Sequence, residues 1–182
     1  MGLSVIPLSL LVGSLNLSDV IAYQQGGLFT WLVFKQPLAF VIFLGAAFAE
    51  TNRLPFDLPE SEQELAGGYN VEYSSIKFAL FFMGEYANMI LASAMMVTLF
   101  FGGWTLPVFG LDQQATTLLG GIAHIAIFLA KVFGFLLMFI WVRWMLPRFR
   151  YDQMMDIGWR RFIPLALANI VATATWLWMR AK

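Results

Sequence analysis

The sequence of 182 residues contains no cysteine and a single histidine, His124. The chain therefore offers neither a disulfide nor a thiolate-held iron–sulfur cluster, and one histidine cannot supply bis-histidine haem ligation. Charged residues make up only 12% of the sequence, against about 25% in soluble domains. Eleven Lys plus Arg balance eleven Asp plus Glu, so the basic excess that nucleic-acid binding requires is absent. We expect no cofactor bound by this chain alone and no nucleic-acid partner.

Apolar residues, by contrast, make up 60% of the sequence. Lipid leaves backbone polar groups no partners except each other, so a membrane span needs about 20 apolar residues in a helix. Four stretches approach this length, and a shorter N-terminal stretch is typical of part of a helix. The sequence predicts an all-α fold, a polytopic transmembrane helix bundle in one membrane domain. Its four full spans cover 28–50, 76–101, 118–146 and 162–179, and a partial helix covers 1–15.

The connections between these spans alternate in charge. The segments 16–27 and 102–117 contain no Lys or Arg. The other connections and their flanks carry Arg53, Lys77, Arg143, Arg148, Arg150, Arg160 and Arg161. The positive-inside rule places these residues in the cytoplasm or its organellar equivalent, and only Arg180 and Lys182 run against it.

The connection at 51–75 is long and acidic. Seven of the eleven carboxylates lie between positions 50 and 85: Glu50, Asp57, Glu60, Glu62, Glu64, Glu72 and Glu85. A charged stretch is most often a solvated face, but here aromatic and branched apolar residues are interleaved with the charges, unlike a disordered tract. We therefore predict an ordered loop on the cytoplasmic side that forms a functional surface.

Three charged residues stand out as candidates for a position deep inside the predicted spans: Glu50, Glu85 and Lys131. Placing a charged side chain at the centre of a membrane-spanning helix costs roughly 2.5–3.5 kcal/mol on insertion scales. We therefore expect each of these residues to have a structural or functional role. At 1.5 Å per residue, all three are expected in one band near the middle of the bilayer. In one interpretation, Glu85 and Lys131 only neutralise each other as an internal ion pair. In the other, the carboxylates belong to a proton relay. We expect His124 to be a satisfied interfacial residue rather than a ligand.

Two long motifs resemble one known family. The segments ETNRLPFDLPE (50–60), GYNVEYS (68–74) and FFMGEYANM (81–89) closely resemble the H subunit of bacterial NADH–quinone oxidoreductase. This family is the counterpart of mitochondrial NADH dehydrogenase subunit 1 in respiratory complex I. The segments WVR (141–143) and LPRFRYDQ (146–153) resemble the connection between its last two helices. Family members are about twice as long, with eight membrane helices, and this chain matches them from late in the fourth helix onward.

The resemblance implies roles for particular residues. The loop would dock against the peripheral-arm subunits that carry the terminal iron–sulfur cluster and line the quinone headgroup site. Its docking residues would be Arg53, Asp57, Glu60, Glu62, Glu64, Tyr69 and Tyr73. The proton-relay groups would be Glu50, Glu85, Glu72 and Lys131, with Lys131 offsetting the charge of Glu85 or Glu50.

In this interpretation the chain does no covalent chemistry and has no catalytic residue or metal ligand. Quinone would be a substrate of the whole complex. Neighbouring membrane subunits and lipid would complete its partners, in the bacterial cell inner membrane or the mitochondrial inner membrane.

Other functions remain open on the sequence alone. The membrane subunit of a proton-pumping hydrogenase has a related acidic pattern, although the segment 68–74 is not expected in it. A structural anchor would tolerate glutamine at both Glu50 and Glu85. An independent secondary transporter would show an internal repeat, and none is visible in the sequence.

Overall fold

The computed structural model of the chain describes residues 1–57, 73, 75–107 and 117–181. We number its α-helices α1 to α8 in chain order. They are α1 (Gly2–Val12), α2 (Leu17–Tyr23), α3 (Leu32–Lys35), α4 (Pro37–Glu50), α5 (Ser75–Phe100), α6 (Leu118–Met145), α7 (Tyr151–Met155) and α8 (Ile163–Ala181). A 3₁₀ turn at Leu28–Thr30 precedes α3, and a π-helical turn at Asp156–Phe162 joins α7 to α8. The all-α prediction is confirmed.

Among the described residues, three helices are long and apolar enough to cross a membrane: Ser75–Phe100, Leu118–Met145 and Tyr151–Arg180. The last combines α7, the π-helical turn and most of α8. Helices α1 and α2 meet at a bend of 61° and together would count as a fourth, broken span. The described part of the chain is thus a multi-span helical bundle, as its composition predicts.

The stretch predicted as one span at 28–50 is divided in the structure. The 3₁₀ turn and the four-residue α3 come first, and the backbone at Gln36 then leaves helical geometry, with φ −134° and ψ 61°. Pro37 begins α4, where a proline is tolerated because the first helical N–H has no intrahelical partner. With 14 residues, α4 is about 21 Å long, which is shorter than the hydrocarbon layer of about 30 Å.

The helices pack in an order that differs from their order in the chain. Helix α1 packs against α8 and α4, α2 packs against α5, and α5 packs against α6. The most deeply buried large side chains include Phe43 on α4, Phe100 on α5 and Phe139 on α6. The ring of Phe40 meets Phe100 and Phe135 edge-on, which ties α4 to both long helices. Many large apolar side chains outside this core are exposed, as expected for a surface that faces lipid.

Helix α4 approaches the end of the π-helical turn closely at Gly45. A Cβ atom at this position would lie 2.5 Å from Cε2 of Phe162. Only a glycine fits here without displacing the phenyl ring. This contact places the C-terminal half of α4, which ends at Glu50, beside the last span.

Candidate functional site

The turn after α4 sets the start of the acidic loop. Thr51 is buried, and its hydroxyl donates a hydrogen bond of 2.9 Å to the carbonyl oxygen of Ala47 in the last turn of the helix. Asn52 has φ 49°, in the left-handed region that asparagine adopts more readily than most residues. The N–H of Arg53 then bonds the carbonyl oxygen of Phe48 at 3.3 Å. These bonds fix the direction in which the loop leaves α4.

The start of the loop docks on the connection between α6 and α7. The N–H of Phe149 donates to the carbonyl oxygen of Pro55 at 3.0 Å, and the rings of Phe56 and Phe149 lie 5.6 Å apart. The buried carboxylate of Asp57 lies 4.0 Å from the guanidinium of Arg148. The two motifs that carry the family resemblance are therefore in direct contact in the fold.

The guanidinium of Arg53 lies over the ring of Tyr86 on α5, with its Cζ 4.7 Å from the ring centroid. Its Nε and Nη2 atoms are buried and have no hydrogen-bond partner in the described structure. The side chain lines a cavity of about 420 Å³ between the loop, α5 and α6. Within the described part of the chain, Arg53 thus packs on the aromatic face of Tyr86.

Glu50 is the last residue of α4 and is exposed in this chain. It lines a mostly apolar groove of about 430 Å³ between α4 and the last span, which also includes Phe162 and Ala166. The side-chain amide of Asn88 on α5 donates to the backbone carbonyl oxygen of Glu50 at 3.4 Å. Glu85, which is half-buried, lies three residues before Asn88 and so faces the same side of α5. The structure brings Glu50 and Glu85 to the same end of the bundle.

Lys131 lies apart from Glu50 and Glu85, and its partners are backbone groups. Its ammonium Nζ donates to the carbonyl oxygens of Phe101 (2.8 Å), Gly103 (3.0 Å) and Thr105 (2.7 Å). It also lies 4.8 Å from the centroid of the Trp31 ring. These carbonyls lie just beyond the C-terminal end of α5, where the helix dipole favours a cation.

This position separates Lys131 from both carboxylates. Glu85 precedes Phe100, the last residue of α5, by fifteen positions, or about 22 Å along the helix axis. Among the described residues, Lys131 forms no ion pair with a carboxylate. The neutralising pair of Glu85 and Lys131 is therefore not formed, because the ammonium of Lys131 is bound just beyond the C-terminal end of α5 and Glu85 lies about fifteen residues earlier on that helix.

Of the remaining predicted loop residues, the structure describes only Tyr73. Tyr73 is exposed, and its ring lies 5.1 Å from that of Phe81 in the second turn of α5. Five predicted residues lie outside the described residues: Glu60, Glu62, Glu64, Tyr69 and Glu72. Their roles stay predictions.

One buried polar residue, Gln24, has no counterpart among the sequence predictions. Its side chain is 0% exposed. Its Nε2 donates to the carbonyl oxygens of Val20, Thr98 and Leu99 at 3.2–3.3 Å, and its Oε1 accepts from the N–H groups of Leu32 and Gly102. Gln24 thus joins α2, α3 and the end of α5. Nothing in the sequence distinguishes it from its neighbour Gln25.

His124 is buried at 8% exposure and packs edge-on against Trp104, with 4.6 Å between ring centroids. Its Nδ1 has no hydrogen-bond partner in the described structure, so the expectation of a fully satisfied histidine is not met there. In the ranges 1–57, 75–107 and 117–181, no cluster of three His, Asp or Glu side chains could hold a metal ion.

Comparison with known proteins identifies the same family. Residues 1–174 match the family model described as NADH dehydrogenase. The chain is 50% identical over 176 residues to the H subunit of NADH-quinone oxidoreductase from Flavobacterium psychrophilum, an alignment that covers 95% of this chain and 50% of the relative. It is 51% identical over 179 residues to the same subunit from Deinococcus deserti, covering 97% of this chain and 44% of the relative.

A third relative is NADH-quinone oxidoreductase subunit 8 of Rhodothermus marinus, which is 46% identical over 182 residues. The alignment covers 96% of this chain and 53% of that protein. The chain thus spans about half the length of the relatives it matches. The long matching range and the high identity agree with the resemblance carried by the loop motifs, and the chain belongs to the NADH dehydrogenase family.

Proposed function

We propose that this chain acts as a membrane-arm subunit of a proton-pumping NADH–quinone oxidoreductase. In that role it helps to form the quinone chamber and couples quinone reduction to proton translocation. It contributes the carboxylates of a proton relay and a docking loop, and the redox cofactors belong to other subunits. Its site of action is the bacterial cell inner membrane or the mitochondrial inner membrane.

The hydrogen bond from Asn88 to the backbone of Glu50 is the observation that carries this proposal. Glu85 shares the face of α5 on which Asn88 lies. Two carboxylates on neighbouring helices therefore sit at the end of the bundle that also carries the acidic loop. A carboxylate withdrawn from water can gain and lose a proton as the charge next to it changes, and this is the chemistry that a relay beside a quinone needs.

The docked loop start supports a second part of the proposal. The contacts from Pro55 and Phe56 to Phe149 fix the first residues after α4 against the neighbouring connection. A fixed loop start is suited to present Arg53, Asp57 and the following loop residues to partner subunits. Those following residues are Glu60, Glu62, Glu64, Tyr69 and Glu72. We propose that these partners are the peripheral subunits of the quinone site and the terminal iron–sulfur cluster.

Lys131 has a different part in this function. It fixes the far end of α5 through three backbone carbonyls. The proposed relay therefore consists of Glu50, Glu85 and Glu72. Lys131 would act on it only by keeping α5 in place.

Replacement of each carboxylate by its neutral isostere tests the relay. Glu85→Gln and Glu50→Gln in the assembled enzyme are expected to lower proton-coupled NADH:quinone turnover in sealed vesicles by roughly 10-fold or more. Assembly, followed by native gel electrophoresis, should be unchanged. Asp152→Asn is the matched control, because Asp152 is an exposed carboxylate on α7. Normal coupled turnover in both glutamine variants would contradict the relay and indicate that the chain is only a structural anchor.

Co-purification tests the enzyme class separately. After gentle solubilisation, we expect the chain in a large assembly with NADH-oxidising and iron–sulfur subunits. A nickel-containing partner without quinone activity would instead indicate a proton-pumping hydrogenase.

A further inference from the structure

A cavity between the start of α4 and the end of α8 takes no part in the proposed function. Helix α4 ends at Glu50, where the acidic loop begins, and Lys35 lies before the opposite end of that helix. Arg180 lies in the last turn of α8. Both cations line this one cavity, which has a volume of about 830 Å³. The positive-inside rule places this end of the bundle away from the cytoplasm, where Lys and Arg are less frequent, so we looked for a ligand that needs them.

The charges of this cavity suit an anion. No carboxylate stands among its described lining residues. The ammonium Nζ of Lys35 lies 4.2 Å from the centroid of the Tyr23 ring, and Cζ of Arg180 lies 4.5 Å from the ring of Trp176. Both cationic side chains are exposed, and neither forms a hydrogen bond or an ion pair with a described residue. An aromatic face thus orients each cation, and its N–H groups stay accessible to a ligand.

Two side-chain amides line the deeper part of the same cavity. Nε2 of Gln36 donates to Oγ1 of Thr173 at 3.0 Å, and Nδ2 of Asn169 donates to Oε1 of Gln36 at 3.1 Å. Each bond uses one N–H of an amide, and the second N–H of each has no partner in the described structure. Thr173 lies three residues before Trp176, or about 4.5 Å deeper along α8. The cavity therefore has free amide donors below its cations.

The cavity also opens sideways, toward lipid. Pro37, Leu38, Ala172 and Trp176 line it and are exposed on the surface of the bundle. Tryptophan is enriched at the level of lipid headgroups, and Leu38 leads from the amides along α4 toward the middle of the membrane. Cations, hydrogen-bond donors and an apolar surface thus follow one another in the order in which a phospholipid carries its phosphate, ester carbonyls and acyl chains.

We propose that this cavity binds a phospholipid with an anionic headgroup from the leaflet away from the cytoplasm. Lys35 and Arg180 bind the phosphate, and the free N–H groups of Gln36 and Asn169 donate to the ester carbonyl oxygens. A net negative headgroup is favoured because no described carboxylate is present to pair with the ammonium of a zwitterionic one. A small anion would use the cations alone, and this difference separates it from a lipid.

Lipid binding to the full chain tests the two cations. The chain, purified in detergent, is titrated with dioleoyl phosphatidylglycerol or dioleoyl phosphatidylcholine, and bound lipid is counted by native mass spectrometry. Phosphatidylglycerol should bind more tightly than phosphatidylcholine. The double variant Lys35→Gln, Arg180→Gln should bind phosphatidylglycerol roughly 10-fold more weakly or worse, because charge-assisted hydrogen bonds to the phosphate are lost. Equal affinity of the unaltered chain for the two lipids would overturn the proposal.

The double variant Lys77→Gln, Arg160→Gln is the matched control for charge. It also replaces one lysine and one arginine, both exposed and both outside this cavity. We expect it to bind phosphatidylglycerol like the unaltered chain. An equal loss of affinity in the two double variants would show that only the net charge matters, and would overturn the proposed site.

An ether-linked lipid tests the amides independently of the cations. The dioctadecenyl ether of phosphatidylglycerol has the same headgroup but no ester carbonyls, so the unaltered chain should bind it severalfold more weakly than the dioleoyl ester. Asn169→Leu should remove this difference and keep the preference for phosphatidylglycerol over phosphatidylcholine. Thr175→Val, on the same helix but outside the cavity, should leave both preferences intact, and circular dichroism checks that each variant is folded.

Two outcomes would overturn the lipid assignment. Equal affinity of the unaltered chain for the ester and ether lipids would show that the amides do not contact ester carbonyls. Full displacement of phosphatidylglycerol by millimolar inorganic phosphate would show a small-anion site at Lys35 and Arg180.

Discussion

The ammonium group of Lys131 donates a hydrogen bond of 2.8 Å to the carbonyl oxygen of Phe101, the first residue after α5. Two further carbonyls, of Gly103 and Thr105, complete its set of acceptors. A lysine carried by α6 thus satisfies the backbone at the end of α5, where intrahelical donors are absent. This contact makes Lys131 a fixed part of the bundle.

We predict that Lys131→Met destabilises the chain. The methionine fills a similar volume but leaves three acceptors without their charged donor, at a cost of about 1–3 kcal/mol for each group that stays buried. The midpoint of thermal unfolding in detergent measures the effect. Lys77→Met removes an exposed cation on α5 and should leave the midpoint unchanged. If the two variants unfold at the same temperature, the bonds of Lys131 contribute nothing to stability.

Gln24→Leu is expected to destabilise the same region. The substitution nearly conserves volume but removes the acceptor of the Leu32 and Gly102 N–H groups, both of which are buried. We expect a loss of about 1–3 kcal/mol for each unsatisfied donor, with faster hydrogen exchange at these two amides. Gln25→Leu, at the neighbouring position and outside this network, is the matched control. Slow exchange of both amides in the Gln24 variant would contradict the prediction.

The contact between Gly45 and Phe162 predicts a compensating pair of substitutions. Gly45→Ala should push the phenyl ring aside and lower stability by about 1–3 kcal/mol, the usual cost of overpacking. Phe162→Leu in the same chain should recover part of that loss, because the smaller side chain makes room. Gly134→Ala, which meets no neighbour, should be neutral or slightly stabilising, since alanine is the better helix former. Lack of recovery in the double variant would mean that the ring is not the obstacle.

Asp57 and Arg148 are expected to be energetically coupled across the docked loop. A double-mutant cycle with Asp57→Asn and Arg148→Gln should give a coupling free energy of about 0.5–1.5 kcal/mol, modest because the charged atoms lie 4.0 Å apart. The readout is the free energy of unfolding in detergent. Strictly additive effects would show that the loop is held by Phe56 and Phe149 rather than by the charges.

The long spans could be predicted from composition because lipid imposes a minimum apolar length. The predicted stretches 76–101 and 118–146 agree within one residue with α5 and α6. The stretch 28–50 does not form one helix. Hydropathy could not predict this break, because it contains no information on backbone dihedral angles. The break at Gln36 is stabilised by hydrogen bonds between its side chain and those of Asn169 and Thr173 on α8, and such partners are visible only once the fold is known.

The candidate site was predictable to a similar extent. The depth of a charge along its own helix follows from counting residues, but its neighbours depend on how the helices pair. Counting therefore found Glu85 and Lys131, and it failed to find that Lys131 serves the far end of α5. The contact of Phe56 with Phe149 joins two motifs that sequence reasoning recognised only as separate stretches.

The π-helical turn at Asp156–Phe162 changes the direction in which side chains leave the axis of the last span. A wide turn accommodates an extra residue, and each residue advances a helix by about 100°. Side chains before and after the turn are therefore rotated relative to the register of an uninterrupted helix. Met155 before the turn, Ile157 within it and Ala166 beyond it on α8 all line the groove at Glu50, and α8 also packs against α1.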